Sequence, residues 1–599
     1  MKIKNLFKKI IIPIKEEIIF FFFSMLLLLP RTLLFPILRP DLCFGDWTNY
    51  NTVRFVSIGA CFSYLFTWSV YKTHSSLLKG LTYLFLYVLF FLNVYLALNF
   101  KATISPNTLL LLLETTPVEA QDFLITYAFS FPSILAYLLT IVLLCSNAYL
   151  EYKKKEIIQF ICSNSTIIRH STPIIYCFFF LFVGGIFSSK IFFSLITIRD
   201  VEDIEKWNSK GLSSMDLLTG LVYSVCHLNL MGDMLKKTEG ITLKAVDSCI
   251  YSKNDSCNLV LIIGESFIKN HSSLYGYYLN TNPRLRKEKS MGRLFVFSDV
   301  VTSSDATSSA IKNVMSCNSV GCGENWYNSP FFPAIFKKAG YNVYFWDNQY
   351  IPTSNASFDF SLNSYLHSPV ISSLSYTAWH DHISRIDGEI VDDFRRYKTG
   401  HNLGKKNLVI FHLQGQHFDQ KTRYPQTSDF RKFTSKDINR NEPWMTESKR
   451  KVIAHYDNCT YYNDSVIASI ISLFRNEPTV MIYFSDHGEC IYDIGDYYGR
   501  GLSLSSDSPD YVQYYQHIFE IPFVIWCSDK FLTQDPELLD KIKKATTKPL
   551  MTDNVCQILM TLGGVKSKYY NSSRDVLSDD YHCTPRIISE SIDYDQLVK

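Results

Sequence analysis

The chain has 599 residues, a formal net charge of +3 and 47% hydrophobic residues. This length exceeds that of a single compact domain. A net charge this small gives no evidence for or against nucleic-acid binding. No nucleic-acid partner is expected. The apolar residues are concentrated in the first third of the chain, which predicts a membrane domain followed by a water-soluble domain.

Five apolar stretches are long enough to cross a bilayer, which takes about 20 residues each. They run over Ile18–Leu38, Val53–Tyr71, Leu81–Leu98, Phe123–Cys145 and Thr172–Leu195. Lysines precede the first stretch and lie between the second and third and between the fourth and fifth. These three segments are therefore predicted to face the cytoplasm. Residues 1–195 are accordingly predicted to form a transmembrane domain of five helices, with everything after it outside.

Residues 196–256 mix polar and apolar side chains in an amphipathic pattern. This pattern predicts a helical connector that lies on the membrane or against the soluble domain. From residue 257 to 599 short apolar strands alternate with helices, which indicates an α/β domain with a largely parallel sheet. The predicted strands are Leu259–Ile263, Leu294–Val301, Asn342–Trp346, Leu408–Leu413, Val480–Phe484 and Pro522–Trp526. The predicted helices include Ser308–Cys317, Phe332–Lys338, Ile386–Tyr397, Lys451–Arg475 and Asp553–Leu562.

Two of these strands are followed by residues of the types that commonly bind metals. Asp486 and His487 follow one strand, and Glu265 follows another. The carboxyl ends of strands in an open α/β sheet are where such folds carry out their chemistry. Adjacent oxygen and nitrogen ligands suit a borderline cation such as zinc. The pattern predicts a metal-dependent hydrolase or transferase.

A nucleophile is expected beside such a metal, and Thr307 is the candidate. It directly precedes a predicted helix whose apolar residues fall on one face. At a helix N-terminus the macrodipole favours an alkoxide and a bound phosphate. Coordination to zinc lowers the pKa of a hydroxyl and activates it for covalent catalysis. The alternative is that Thr307 only caps the helix; the metal ligands nearby favour the nucleophile.

Two histidines surround the end of the strand Leu408–Leu413. His412 alternates with apolar residues, which is typical of a core histidine. Both histidines are candidates for contact with phosphate or a second metal, and His417, which lies beyond the strand in a loop, is the better one.

These motifs are shared with a known family. The chain resembles the membrane-anchored phosphoethanolamine transferases of Gram-negative envelopes, which belong to the alkaline phosphatase superfamily and include enzymes that modify lipid A. The resemblance covers nearly the whole chain. The shared residues are Gly264-Glu265-Ser266 with Leu274-Tyr275-Gly276-Tyr277; Thr302-Ser303 followed by Thr307; His412-Leu413-Gln414-Gly415-Gln416-His417 with Tyr424-Pro425; Tyr456-Asp457-Asn458 with Tyr462-Asn463-Asp464; and Ser485-Asp486-His487-Gly488-Glu489.

The resemblance implies roles for these residues. One zinc ion would be bound by Glu265, Thr307, Asp486 and His487, with Thr307 as the phosphoethanolamine acceptor. His417 would contact phosphate or a second zinc, so that the number of zinc ions stays open.

Other positions match the family less closely. The outer loop that contains Thr115 and Glu119 is either a solvated loop or an interfacial helix that binds a lipid head group. The two residues correspond to family residues implicated in binding the head group, whereas Leu111 replaces a family asparagine. A further family histidine has no direct match: Arg500, near its position, would supply positive charge in its place, or His517 would substitute from farther along the chain.

The implied reaction transfers phosphoethanolamine from phosphatidylethanolamine to lipopolysaccharide, on lipid A or a core sugar, through a zinc-bound phospho-threonine, and releases diacylglycerol. The implied location is the bacterial inner membrane, where a monomer contacts membrane lipid and its catalytic domain lies in the periplasm. One alternative is a phosphoglycerol transferase that uses manganese and acts on an envelope glycan or glycolipid. A second is a membrane-anchored scaffold without activity. Sulfatase activity is disfavoured because no Cys-x-Pro-x-Arg or Ser-x-Pro-x-Arg motif lies near Thr307.

Overall fold

A computed structural model describes residues 12–30, 49–100, 104, 108–109, 127–163, 184, 186, 217–248, 250–252, 256–321, 325–349, 362–500, 504, 507–589 and 591–599. The chain forms two compact units, Met1–Met231 and Gly232–Lys599. The division falls inside the predicted connector. Thr115 and Glu119 lie outside the described residues, as does all of the predicted fifth span except Gly184 and Ile186.

The first unit is helical. Its helices are α1 Ile18–Leu28, α2 Asn49–Thr73, α3 Ser76–Phe100, α4 Phe131–Tyr152 and α5 Lys154–Ser163, and α6 Leu217–Val246 begins in it. Among the described helices, α3 and α4 are long and apolar enough to cross a membrane, and α1 is a shorter apolar helix. The helices α1 to α4 overlap the first four predicted spans. The full arrangement of five spans stays a prediction.

Ion pairs join the helix ends that carry the predicted cytoplasmic lysines. Lys79 Nζ lies 2.7 Å from a carboxylate oxygen of Glu17 and 2.8 Å from one of Glu151. Lys154 Nζ lies 2.7 Å from the other oxygen of Glu17. The start of α1, the turn between α2 and α3, and the end of α4 therefore lie at the same end of this unit, and their cytoplasmic location stays a prediction.

The second unit is built around a seven-stranded sheet. Its strands are β1 Cys257–Gly264, β2 Leu294–Val296, β3 Asn342–Asp347, β4 Ala378–Trp379, β5 Lys406–His412, β6 Thr479–Ser485 and β7 Phe523–Cys527, in the spatial order β2-β7-β6-β1-β5-β3-β4. All neighbouring strands are parallel except at β7, which runs antiparallel to β6 and β2. The largely parallel sheet predicted from the sequence is confirmed. The predicted strand Leu294–Val301 is divided in two, since Val300–Val301 pairs with Leu550–Met551 outside the main sheet.

Helices cover both faces of this sheet. They are α7 Pro283–Ser290, α8 Thr307–Met315, α9 Phe332–Lys338, α10 Leu362–His367, α11 Pro369–Ser375, α12 Asp387–Gly400, α13 Glu447–Phe474, α14 Tyr511–Phe519, α15 Asp529–Gln534, α16 Pro536–Ala545, α17 Val555–Leu562 and α18 Tyr594–Leu597. Alternate residues of β1 enter two different cores, because successive side chains of a strand point to opposite faces. Leu261 packs in the core that includes Ile311 of α8, and Ile262 packs in the core that includes Phe394 of α12.

The register of the central strands aligns their carboxyl ends. Gly264 of β1 is opposite Ser485 of β6, and Ile263 of β1 is opposite His412 of β5. The residues that follow β1 and β6 are therefore neighbours at one edge of the sheet, where Glu265 and Asp486 begin their loops.

Candidate active site

Glu265 is the centre of the polar cluster at this edge. It follows β1 directly and is fully buried. Thr307 Oγ1 donates a hydrogen bond to Glu265 Oε2 over 2.9 Å. His487 Nε2 lies 3.1 Å from Glu265 Oε1. Residues from β1, the start of α8 and the end of β6, far apart in the sequence, thus meet at one carboxylate.

Thr307 is the first residue of α8. The cap position belongs to Ala306, whose side chain makes no capping hydrogen bond. The alternative that Thr307 only caps the helix is therefore wrong. Its Oγ1 lies 3.2 Å from His487 Nε2 as well as 2.9 Å from Glu265 Oε2. A hydroxyl between a carboxylate and an imidazole, at a helix N-terminus, is placed to become a nucleophile.

Asp486 offers an oxygen atom toward the same point. Its Oδ1 accepts hydrogen bonds from the Ser266 and His487 backbone N–H groups, over 3.2 and 2.7 Å. Its Oδ2 is buried, has no hydrogen-bond partner among the described residues, and lies 3.2 Å from His487 Nε2. A buried carboxylate oxygen without a donor is costly unless a cation or a proton satisfies it.

The charges of the cluster also favour a cation. Burial, followed by the negative charge of Glu265, raises the pKa of Asp486 well above its usual range. Burial, followed by the positive charges of Arg500 and His417, lowers the pKa of His487 to about 3. The imidazole is therefore neutral, which is the state that binds metals. Two crowded carboxylates beside it are expected to bind a positive ion at neutral pH.

The distances match a tetrahedral metal site. One ligand atom from each of Glu265, Asp486 and His487 lies within 4.8 Å of the other two. The spacings from His487 Nε2 to the three oxygen atoms of Glu265, Asp486 and Thr307 are 3.1, 3.2 and 3.2 Å. Zinc bonds of about 2.0–2.1 Å place tetrahedral ligands about 3.3 Å apart. The residues present therefore fit a zinc ion.

Arg500 adds a positive charge to the cluster. It follows the short strand Tyr498–Gly499, which brings the chain back toward the site. Arg500 Nη1 lies 3.3 Å from Glu265 Oε1 and 2.9 Å from His487 Nδ1. The sequence suggested either Arg500 or His517 as the source of positive charge here. His517 Nε2 instead lies 3.4 Å from Asn270 Nδ2, and no described contact joins its side chain to Glu265.

The two histidines around β5 occupy different environments. His412 is buried at the end of β5, with Nδ1 3.0 Å from Asp347 Oδ1, as expected of a core histidine. His417 lies beyond the strand, where its charge lowers the pKa of His487. His417 also lowers the pKa of Glu265.

Two residues of the site were missed by the sequence reasoning. Gln349 Nε2 donates hydrogen bonds to Glu265 Oε2 over 3.2 Å and to the Leu413 carbonyl over 2.7 Å. The polar residues that follow the apolar strand β3 were the available signal. Glu489, a shared motif residue to which the sequence assigned no role, is the second: burial raises its pKa to about 7, against the opposing charge of Arg500. Its protonation therefore changes near neutral pH beside the cluster.

A second set of shared motif residues supports the loops of the site. Tyr456 on α13 accepts a hydrogen bond from the Ile268 backbone N–H over 2.7 Å and donates one to the Ser266 carbonyl over 2.5 Å. Its neighbour Asp457 lies 2.7 Å from His271 Nδ1. These contacts attach the segment after Glu265 to α13.

His271 is a charged residue in this support. It is buried between Asp457 and Asp493, whose Oδ1 lies 3.1 Å from His271 Nε2. Burial alone would lower the pKa of His271, but the two carboxylates outweigh it and raise the pKa to about 10. The pair of acids therefore holds an imidazolium at neutral pH.

Gly415 permits the close approach of two loops. It has a φ of +50°, and a Cβ placed on it would lie 2.7 Å from both the backbone nitrogen and the carbonyl oxygen of Glu265. Only glycine fits between the β5 loop and the backbone of Glu265 without moving one of them.

The comparisons with known proteins agree with this geometry. The family model described as Sulfatase matches residues 257–564, just over half of the chain. The phosphoethanolamine transferase EptC of Escherichia coli K12 is 27% identical over 359 residues, which are 58% of each chain. The Kdo(2)-lipid A phosphoethanolamine 7''-transferase of the same strain is 25% identical over 288 residues, 46% of each. The chain thus spans about half the length of the curated relatives it matches.

One solved structure extends the likeness to the helical unit. The integral membrane protein lipooligosaccharide phosphoethanolamine transferase A from Neisseria meningitidis is 16% identical, with a TM-score of 0.59 over 93% of this chain and 97% of that chain. At this identity the match shows a shared fold. Together the matches confirm the resemblance to phosphoethanolamine transferases. They also confirm the predicted fold class, in which a helical membrane domain precedes an α/β domain.

Proposed function

This chain belongs to the sulfatase family, and we propose that it transfers phosphoethanolamine from phosphatidylethanolamine to a lipopolysaccharide-type acceptor. The observation that carries the proposal is the position of Thr307, whose Oγ1 lies 2.9 Å from Glu265 Oε2 and 3.2 Å from His487 Nε2. The names of the relatives support the phosphoethanolamine group, and one of them acts on Kdo(2)-lipid A.

In the first step Thr307 Oγ attacks the phosphorus of the donor lipid. A bond forms between Thr307 Oγ and phosphorus, and the bond from phosphorus to the diacylglycerol oxygen breaks. Thr307 loses its proton, which it shares with Glu265 Oε2 before reaction, and the diacylglycerol oxygen gains one. The N-terminus of α8 and the guanidinium of Arg500 stabilise the negative charge that spreads over the phosphoryl oxygens.

A zinc ion held by Glu265, Thr307, Asp486 and His487 would lower the pKa of the threonine hydroxyl and offset charge on the phosphoryl group. The chain supplies the rest. Burial excludes water from Glu265 and His487. Gln349 orients the Glu265 carboxylate through a hydrogen bond of 3.2 Å.

In the second step an oxygen of the acceptor attacks phospho-Thr307. The bond from phosphorus to Thr307 Oγ breaks, and the hydroxyl regains its proton as the acceptor loses one. The acceptor is lipid A or a core sugar of lipopolysaccharide, and His417 contacts the transferred phosphate during this step. A lipid donor accounts for the membrane helices. We place the protein in the bacterial inner membrane as a monomer, with its catalytic domain in the periplasm and Thr115 and Glu119 near the donor head group.

The test uses the full chain in detergent with zinc and phosphatidylethanolamine labelled on an acyl chain. Labelled diacylglycerol is expected from the unchanged enzyme, and mass spectrometry is expected to find phosphoethanolamine on the peptide that contains Thr307. Thr307→Ala abolishes both signals, and Thr307→Ser retains part of them. Ser309→Ala, which changes the next half-buried hydroxyl of α8, is the matched control and keeps full activity.

The same assay separates the alternatives. Activity with phosphatidylglycerol in place of phosphatidylethanolamine would support a phosphoglycerol transferase. No diacylglycerol from either lipid, in a folded and zinc-loaded protein, would support a scaffold without activity. Full activity in Thr307→Ala would overturn the assignment of the nucleophile.

A further inference from the structure

A second cluster of metal-ligating side chains lies apart from Glu265. It consists of His380 and His382, which follow β4, and Asp393 on α12. His380 Nε2 and His382 Nε2 each lie 3.1 Å from the same oxygen, Asp393 Oδ2. The two imidazole rings are 4.1 Å apart between centroids. Three potential ligand atoms thus converge on one point.

The remaining ring nitrogens face acceptors as well. His380 Nδ1 lies 3.3 Å from the Asp347 carbonyl oxygen. His382 Nδ1 lies 3.0 Å from Asp381 Oδ1. Each ring therefore has an oxygen acceptor at both nitrogens, whereas a neutral imidazole carries only one N–H.

Two explanations satisfy these contacts. In the first, both rings are imidazolium cations, which places two like charges 4.1 Å apart with one of them, His380, buried. Burial and like charge both oppose that state. In the second, each ring keeps its proton on Nδ1, donates it to the outer acceptor, and turns the Nε2 lone pair toward a cation. This is the arrangement of histidines that bind metals.

We propose that His380 Nε2, His382 Nε2 and Asp393 Oδ2 form a second metal site, which binds a divalent transition-metal ion of the zinc class. The spacing of 3.1 Å between ligand atoms is close to the edge of a zinc tetrahedron, about 3.3 Å. Two imidazoles and one carboxylate are a common zinc donor set. Arg396 pairs with Asp393 Oδ1 and leaves Oδ2 to the site. The His382 side chain is 58% exposed, so that a solvent molecule can complete the coordination.

The site lies beside β4, the outermost strand of the sheet, and is linked to Glu265 through the end of β3. Its ligand His380 bonds to the carbonyl of Asp347, the last residue of β3. Asp347 Oδ1 in turn accepts the backbone N–H of Gln349 over 2.9 Å, and Gln349 bonds to Glu265. Metal bound here joins β4 to α12 and supports the segment that orients the catalytic carboxylate. The role is positional, because none of the three ligands contacts the Glu265 cluster among the described residues.

The test measures zinc bound per chain in the full-length protein in detergent, after dialysis against zinc and then against metal-free buffer. Elemental analysis compares the unchanged chain with His382→Ala and Asp393→Asn. His582→Ala, an exposed histidine outside the cluster, is the matched control. The two cluster variants are expected to hold one zinc ion fewer than the unchanged chain and the control. Thermal unfolding with and without zinc gives a second readout, in which the zinc-dependent rise of Tm is smaller in His382→Gln than in the unchanged chain.

Equal zinc content in the four proteins, with an unchanged zinc-dependent rise of Tm in His382→Gln, would overturn the proposal. If Asp393→Asn fails to fold, the His382 variants decide the matter, because the exposed side chain can be replaced without disturbing the core. The readout is metal content rather than transfer activity, so a failure of the proposed reaction leaves this inference unaffected.

Discussion

Replacing Arg500 by glutamine tests the electrostatic model of the site most directly. Arg500 Nη1 lies 3.3 Å from Glu265 Oε1, and the arginine side chain is only 19% exposed. At an effective dielectric constant of about 20, two unit charges at that distance attract by about 5 kcal/mol. Part of this attraction offsets the cost of burying the guanidinium. The guanidinium held in this position can also attract the phosphoryl oxygens as their charge develops.

We therefore expect Arg500→Gln to lower kcat by about 10²–10³-fold, the loss seen when one preorganised donor is removed from a reacting oxyanion. Arg500→Lys is the matched control: it keeps the charge but loses the planar fork, and it is expected to retain more activity than the glutamine variant. The assay is the release of labelled diacylglycerol at saturating donor lipid, with zinc content measured in each sample. Activity of Arg500→Gln within about threefold of the unchanged enzyme, at equal zinc content, would refute the reasoning, because the expected loss is far larger.

Three further predictions concern the loops, the metal and the support of the site. Gly415→Ala is expected to lower the free energy of unfolding by about 1–3 kcal/mol in urea denaturation, because its Cβ would meet the Glu265 backbone. Chelation of the metal is expected to remove most transfer activity, and added zinc to restore it. His271→Gln is expected to lower the free energy of unfolding by about 3 kcal/mol at pH 6 and much less at pH 9.5. Because the pKa of His271 is higher in the folded protein, the charged imidazole stabilises the fold. This stabilisation is fully present below about pH 6.5, the pKa of a histidine in the unfolded chain. The stabilisation is lost as the pH rises through about 10, the pKa of His271 in the folded protein.

Each of these has a control and an outcome that contradicts it. Gly400→Ala adds a Cβ with no atom within 4 Å, so a loss equal to that of Gly415→Ala would rule out the close contact as the cause. Restoration of activity by magnesium as well as by zinc would contradict the zinc assignment. An effect of His271→Gln that is the same at both pH values would show that the two aspartates do not hold a charged imidazole.

Much of the fold was predictable because the decisive signals are local. Strands such as β1 and β6 are continuous apolar runs, as expected of strands buried on both faces. The metal-type residues come directly after these runs, at Glu265 and Asp486-His487. Since parallel strands end at a common edge, the sequence indicated that these residues meet, although it gave no distances. The division of Leu294–Val301 was missed because both pieces are apolar, and only their pairing partners distinguish them.

The sequence by itself determined the classes of residue at the ends of the strands, the helix predicted directly after Thr307, and the alternation of strands and helices. Those features depend on neighbouring residues and on side-chain periodicity. The tertiary structure decided which of Arg500 and His517 lies beside Glu265, that Gln349 orients this carboxylate, and that His380, His382 and Asp393 converge. These contacts join segments separated by turns and strand crossings, so their distances follow from sheet order and register rather than from spacing along the chain.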